Sequence, residues 1–142
     1  MKISARNAFE GKISALHSGS VSAEVEVTTT GGDKLVGTIT QGSVQSLGLV
    51  VGKEVVALIK ASNVLVMTEG SGVKLSARNC LTGKVSKVIS GPVSAEVIIT
   101  LAGGAQVYAS VTREATEELG LKEGVTAHAI IKASSVIIGV KN

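Results

Sequence analysis

The chain has 142 residues, a formal net charge of +3 and 44% apolar content, which suits one ordinary domain or two very small ones. Its single cysteine, Cys80, excludes an intrachain disulfide and fits a reducing compartment. Phe9 and Tyr108 are the only aromatics, which argues against a nucleic-acid groove built on stacking rings, and no uncharged apolar run approaches the ~18 residues of a membrane span.

The opening MKISARNAFEGK has charged residues at 2, 6, 10 and 12 and lacks the apolar run of a signal peptide, so a cytoplasmic location is expected. KISALH and VSAEVEVTTT alternate apolar and polar residues and predict two strands. Gly31-Gly32-Asp33 predicts a hairpin turn, and KLVGTIT a third strand. QGSVQSLGL predicts a short helix, Gly52 a turn, and EVVALIK and NVLVMT the closing strands. The second half repeats this order. TREATEELGL is its clearer helix, with Thr112 placed to cap it and Ala115 where a Glu would complete a capping box. Five strands with one short helix between the third and fourth is the layout of an OB-like β-barrel, although a small sandwich fits the same pattern. The fold class expected is therefore all-β, two tandem OB-like barrels. Their cores must be built from Val, Ile, Leu and Ala, and domains that small are marginal alone, so oligomerisation is expected.

The halves are a duplication. ISARNAFEGKISALHSGSVSAEV from Ile3 aligns without a gap on LSARNCLTGKVSKVISGPVSAEV from Leu75, and LGLVVGKEVVALIKASNV from Leu47 on LGLKEGVTAHAIIKASSV from Leu119. Two copies are too few for a solenoid, so two domains are expected, at 1–68 and 75–142, joined by a linker at 69–74. Most matched glycines and apolar residues suit turns and core. The matched polar residues are Ser4, Arg6, Asn7, Ser22, Glu24, Thr40, Lys60 and Ser62, with Ser76, Arg78, Asn79, Ser94, Glu96, Thr112, Lys132 and Ser134. Arg offers a fork of N–H donors, Lys a compact charge, and Ser and Thr a rotatable donor, which together suit an oxyanion. Surface ion pairs, for example Arg6 with Glu24, and hydroxyls that cap turns account for the same residues. His17 and His128 have no counterparts and Cys80 aligns with Ala8, which excludes a symmetric His/Cys metal-cation site. No nucleophile–base pair recurs and no P-loop spacing is present, so no catalytic residue is assigned and no enzyme activity is expected.

The order S-A-R-N, then G-x-V-S-A-E-V, L-G-L and K-A-S-x-V, present twice, resembles the Mop domain, the molybdate-binding module also called molbindin. The resemblance spans nearly all of both halves, and the chain looks like the stand-alone tandem, di-Mop form. It implies OB-like barrels and a homotrimer of di-Mop chains. It also implies molybdate or tungstate held at contacts between Mop domains, for cytoplasmic molybdenum storage and homeostasis. The alternative it leaves is a molybdate-sensing module that regulates a protein partner. It implies one ligand set at Ser4, Arg6, Thr40, Lys60, Ala61 and Ser62, and another at Ser76, Arg78, Thr112, Lys132, Ala133 and Ser134. A second site type is implied at Ser20, Val21 and Ser22, and at Pro92, Val93 and Ser94, where Ser22 and Ser94 replace an Asn often found in the family. The ligand would be bound intact by hydrogen bonds, with no cofactor, no metal-cation site, no nucleic acid and no membrane partner.

Overall fold

A computed structural model describes residues 2–69 and 72–141. Gly70 and Ser71, in the middle of the expected linker, lie outside the described residues. The chain forms two units, each a curled five-stranded antiparallel sheet with one short helix. Unit 1 runs to Ile59 and takes in the chain from Lys132 onward, whereas unit 2 is Lys60–Ile131. Each unit therefore draws its last strand from the other copy of the repeat.

In unit 1 the strands are β1 (Asn7–Ser18), β2 (Ser22–Thr29), β3 (Lys34–Thr40), β4 (Glu54–Ile59) and, from the chain's end, β10 (Ile137–Gly139). The sheet order is β10-β4-β1-β2-β3. Unit 2 has β5 (Leu65–Met67), β6 (Asn79–Ser90), β7 (Ser94–Leu101), β8 (Gln106–Thr112) and β9 (Thr126–Ile131), in the order β5-β9-β6-β7-β8. The alternation read in the sequence is what builds β2: Ala23, Val25, Val27 and Thr29 point inward, and the residues between them are only half-buried. β4 departs from alternation, because Val55 through Ile59 are all buried. The Gly31-Gly32-Asp33 turn is present, closed by Thr29 N–H to Asp33 O at 2.8 Å, with Gly32 at φ 90.

The first strand of each unit is long and bent. Its register slips between Ile13 and Ala15, and between Val85 and Lys87 in β6, marking a bulge at Ser14 and Ser86. Thr28 Oγ1 bonds Ser14 Oγ at 2.8 Å and Thr100 Oγ1 bonds Ser86 Oγ at 3.0 Å, so these matched hydroxyls serve the bulge. Just before the bulge the strands approach so closely that a Cβ on Gly11 would run into the Thr28 carbonyl oxygen, and one on Gly83 into that of Thr100. Gly11→Ala is therefore expected to lower stability by about 1–3 kcal/mol through overpacking, read as a lower urea midpoint with an unchanged slope.

The two helices are α1 (Gln41–Leu47) and α2 (Arg113–Glu118). As the sequence predicts, Thr112 Oγ1 accepts from Ala115 N–H at 3.0 Å, and Thr40 Oγ1 does the same from Ser43 N–H at 3.0 Å. β10 reaches unit 1 through a single 3-10 turn, Ala133–Ser135, and β5 is led into unit 2 by the matching turn Ala61–Asn63. Val136, almost fully buried, packs against β3, its Cγ1 only 3.2 Å from where a Gly37 Cβ would stand. No described helix is long and apolar enough to cross a membrane.

Candidate functional site

The strand pairing sorts the candidate ligands of each unit into two clusters. β1 begins at Asn7, which pairs with Ile59 at the end of β4. Ser4 and Arg6 precede that pair. β10 enters with Ile137 opposite Leu58, so the chain before it, Lys132, Ala133 and Ser134, runs past the same end of β4. S-A-R of the first copy and K-A-S of the second thus belong to one end of one sheet. In unit 2, Asn79 pairs with Ile131 and Leu65 with Ile130, which puts Ser76 and Arg78 at the sheet end reached by Lys60, Ala61 and Ser62. The expected ligand sets join S-A-R to the K-A-S of its own copy. Lys60 directly follows Ile59, the partner of Asn7, and Lys132 directly follows Ile131, the partner of Asn79, so each K-A-S starts at the strand end where its own S-A-R lies; the exchanged strands add the K-A-S of the other copy to that end.

The second cluster forms at the far end of β1. Ser22 pairs directly with Thr40, and Ser94 with Thr112. The loop before Ser22 is tied down by Gly19 N–H to Ser22 O at 2.8 Å and by Gln41 N–H to Val21 O at 2.9 Å. In unit 2 the same loop is tied by Gly91 N–H to Ser94 O and Arg113 N–H to Val93 O, both 2.8 Å. Ser20, Val21 and Ser22 therefore sit beside Thr40, and Pro92, Val93 and Ser94 beside Thr112. Within a unit no strand pair joins Thr40 to Arg6, or Thr112 to Arg78, because the length of β1 or β6 lies between them in the ladder.

The donors present are of the kinds an anion needs. Ser4, Arg6, Thr40, Lys60, Ser62, Ser76, Arg78, Thr112, Lys132 and Ser134 are all exposed in the chain, Ala61 is half-buried and Ala133 is buried. Capping does not use up the threonines. Each accepts an N–H through a lone pair, and Thr112 keeps its O–H as a donor; Thr40 shares a 2.8 Å hydroxyl contact with Ser43. Asn7 and Asn79, in contrast, are buried and structural: Asn79 Nδ2–H donates to Ile131 O at 3.2 Å, fixing the strand end that leads into the turn segment. The N of S-A-R-N thus positions the cluster from inside the core. Sequence type alone did not separate it from Arg6.

Two other polar features lie outside these clusters. A hollow of about 200 Å³ in unit 1 is lined by Glu10, Lys12, Thr30, Glu54 and Lys141, a mixed-charge surface that gives a dianion no net attraction. There Lys141 Nζ donates to Glu10 Oε1 at 2.7 Å, and this hydrogen bond and charge hold the Glu10 carboxyl below its ordinary range; the pair is fully solvated and adds little stability. In unit 2, Thr82 Oγ1 and His128 Nδ1 are 2.8 Å apart, a cross-strand pair whose counterparts in the first copy are Glu10 and Val56. Among the described residues no group of three or more His, Cys, Asp or Glu is placed to hold a metal ion.

The TOBE domain family matches the chain twice, at residues 3–66 and 75–138. The molybdenum transport protein ModE of Herbaspirillum seropedicae is 45% identical over 141 residues, covering 99% of this chain and 52% of the relative. The molybdenum-pterin-binding protein MopA of Rhodobacter capsulatus is 40% identical over 140 residues, covering 99% of this chain and 53% of the relative. The chain thus spans about half the length of these curated relatives. Among solved structures, the cytoplasmic molybdate-binding protein ModG, crystallised with molybdate bound, superposes with a TM-score of 0.97 at 55% identity, covering 99% of this chain and 100% of that one.

Proposed function

This chain belongs to the TOBE domain family, as a tandem Mop protein, and we propose that it binds molybdate and tungstate reversibly, without catalysis, for molybdenum storage and homeostasis in the cytoplasm. The observation that favours this most is the duplicated cluster at the sheet ends: Ser4 and Arg6 lie at the end of β4 that leads into Lys60–Ser62 and that Lys132–Ser134 also reaches, and Ser76 and Arg78 lie at the matching end of β9, which leads into Lys132–Ser134 and which Lys60–Ser62 also reaches. Molybdate is a tetrahedral dianion at neutral pH. Arg and Lys offset its charge and Ser hydroxyls replace its water, so the ion is held whole and needs no His or Cys ligand. Thr40 and Thr112, with the Ser20–Ser22 and Pro92–Ser94 loops, supply further hydroxyl and backbone donors.

Exposed donors compete with water for an anion, so tight binding needs a second surface to cover them. Apolar side chains beside the ligands support such a surface. Ile3 adjoins Ser4, Val21 lies between Ser20 and Ser22, and both are exposed, as are their counterparts Leu75 and Val93. Val21 and Val93 are 79% and 78% exposed, an exposure that water does not favour for a valine held in a tied-down loop. We therefore place the complete sites between copies of the chain in a homotrimer. Ligand binding then stabilises the assembly by mass action. Calorimetric titration with molybdate, tungstate and sulfate, beside sedimentation with and without ligand, tests this. Saturable heats for molybdate and tungstate and a trimer are expected; no heat with any of the three oxyanions would overturn the proposal.

A further inference from the structure

The two copies match at the Arg, Lys and Thr donors named above, differ at Ser20, where the second copy has Pro92, and differ further in the helix that follows the capping threonine. After Thr40 the residues are Gln41, Gly42, Ser43, Val44 and Gln45, with no charge among them. After Thr112 they are Arg113, Glu114, Ala115, Thr116 and Glu117. In unit 2 a surface hollow of about 440 Å³ is lined by Pro92, Val93, Thr112, Arg113, Glu114 and Glu117. Both carboxylates therefore share one hollow with the Thr112 hydroxyl. The one cation there is engaged, its Nε 3.4 Å from Glu117 Oε1.

Resting on the molybdate-binding reading, we propose that the Thr40 and Thr112 clusters are unequal anion sites, and that Glu114 and Glu117 make the Thr112 cluster the weaker of the two. A dianion brought into the hollow meets a net charge of minus one from Arg113, Glu114 and Glu117; at Thr40 the matching residues, Gln41, Gly42 and Gln45, are neutral. If Arg113 swings to the ligand it leaves the Glu117 carboxylate uncompensated, so the balance of charge is the same. The duplication thus preserves the capping threonine and Ser22/Ser94, replaces Ser20 by Pro92, and changes the field around them. The Thr40 cluster fills first as oxyanion rises, and the Thr112 cluster adds capacity at higher concentration. Because the hollow is open to solvent, the difference is modest and salt-dependent: roughly three- to ten-fold in affinity at low ionic strength, shrinking as salt is added.

The test is a calorimetric titration of the full chain with tungstate at low and high salt, for wild type, Glu114→Gln/Glu117→Gln and the reciprocal Gly42→Glu/Gln45→Glu. Wild type is expected to show a tight and a weaker class of site. The first variant should tighten the weaker class by roughly three- to ten-fold and leave the tight class unchanged. The reciprocal variant should weaken the tight class by a similar factor. Its changes lie on α1 at an exposed and a solvent-facing position, so the test survives if the α2 variant fails to fold. A single class in wild type, or classes that neither variant moves, would overturn the inequality while leaving oxyanion binding intact. No tungstate binding by wild type would overturn the reading beneath it.

Discussion

Replacing Arg6 and Arg78 together with alanine is expected to abolish high-affinity molybdate binding. Each guanidinium stands one residue before a buried Asn at the strand end, so its backbone is held while the residue stays exposed at the cluster. Truncating one side of a desolvated charge pair costs about 2–5 kcal/mol, largely because the opposing charge is left without compensation. With a dianion as that opposing charge, the loss is at least about thirty-fold in affinity per site. Because both arginines are exposed, the variant should still fold, with melting in the absence of ligand little changed. Arg6→Lys with Arg78→Lys should restore only part of the binding, since the ammonium keeps the charge but not the fork of donors. Titration calorimetry separates these outcomes. Wild-type affinity in the double alanine variant would remove S-A-R-N from the site.

A chain ending at Ile131 is expected to lose unit 1 and keep unit 2. Unit 2 is complete within Lys60–Ile131, whereas unit 1 needs β10 and the turn before it. The missing segment carries Ala133, Val136 and Ile138, all buried. Burying a Val and an Ile contributes about 1.5–3 kcal/mol each, a large part of the roughly 5–15 kcal/mol that holds an ordinary domain together. Removal also strips β4 of its edge partner and uncovers Gly37 on β3. Hydrogen exchange should show protection lost across β1–β4 and retained across β6–β9. Equal protection in both units of the shortened chain would contradict the exchanged-strand architecture.

Much of each unit was legible in the sequence, and the parts that were not have a common cause. The strands, the Gly31-Gly32-Asp33 turn and the Thr112 cap follow from alternation and local chemistry, and each is where those rules put it. The exchange of β5 and β10 was hidden by the duplication itself. Leu65-Val66-Met67 and Ile137-Ile138-Gly139 are the same element in two copies, so either one satisfies the edge of β4 or of β9 in pattern and size. Only the path of the connecting chain decides, and local pattern does not record it. Asn7 and Asn79 stand outside the ligand sets that the resemblance implies, and their burial and the bond from Asn79 to Ile131 O show what they do instead, which is to hold the strand end.

The most direct test of the central claim is equilibrium dialysis of the purified chain against molybdate, with bound molybdenum measured by elemental analysis in the presence and absence of excess sulfate. Saturable uptake is expected, which sulfate leaves largely in place and tungstate displaces. Uptake that rises linearly without saturation, or that sulfate removes as readily as tungstate, would contradict it.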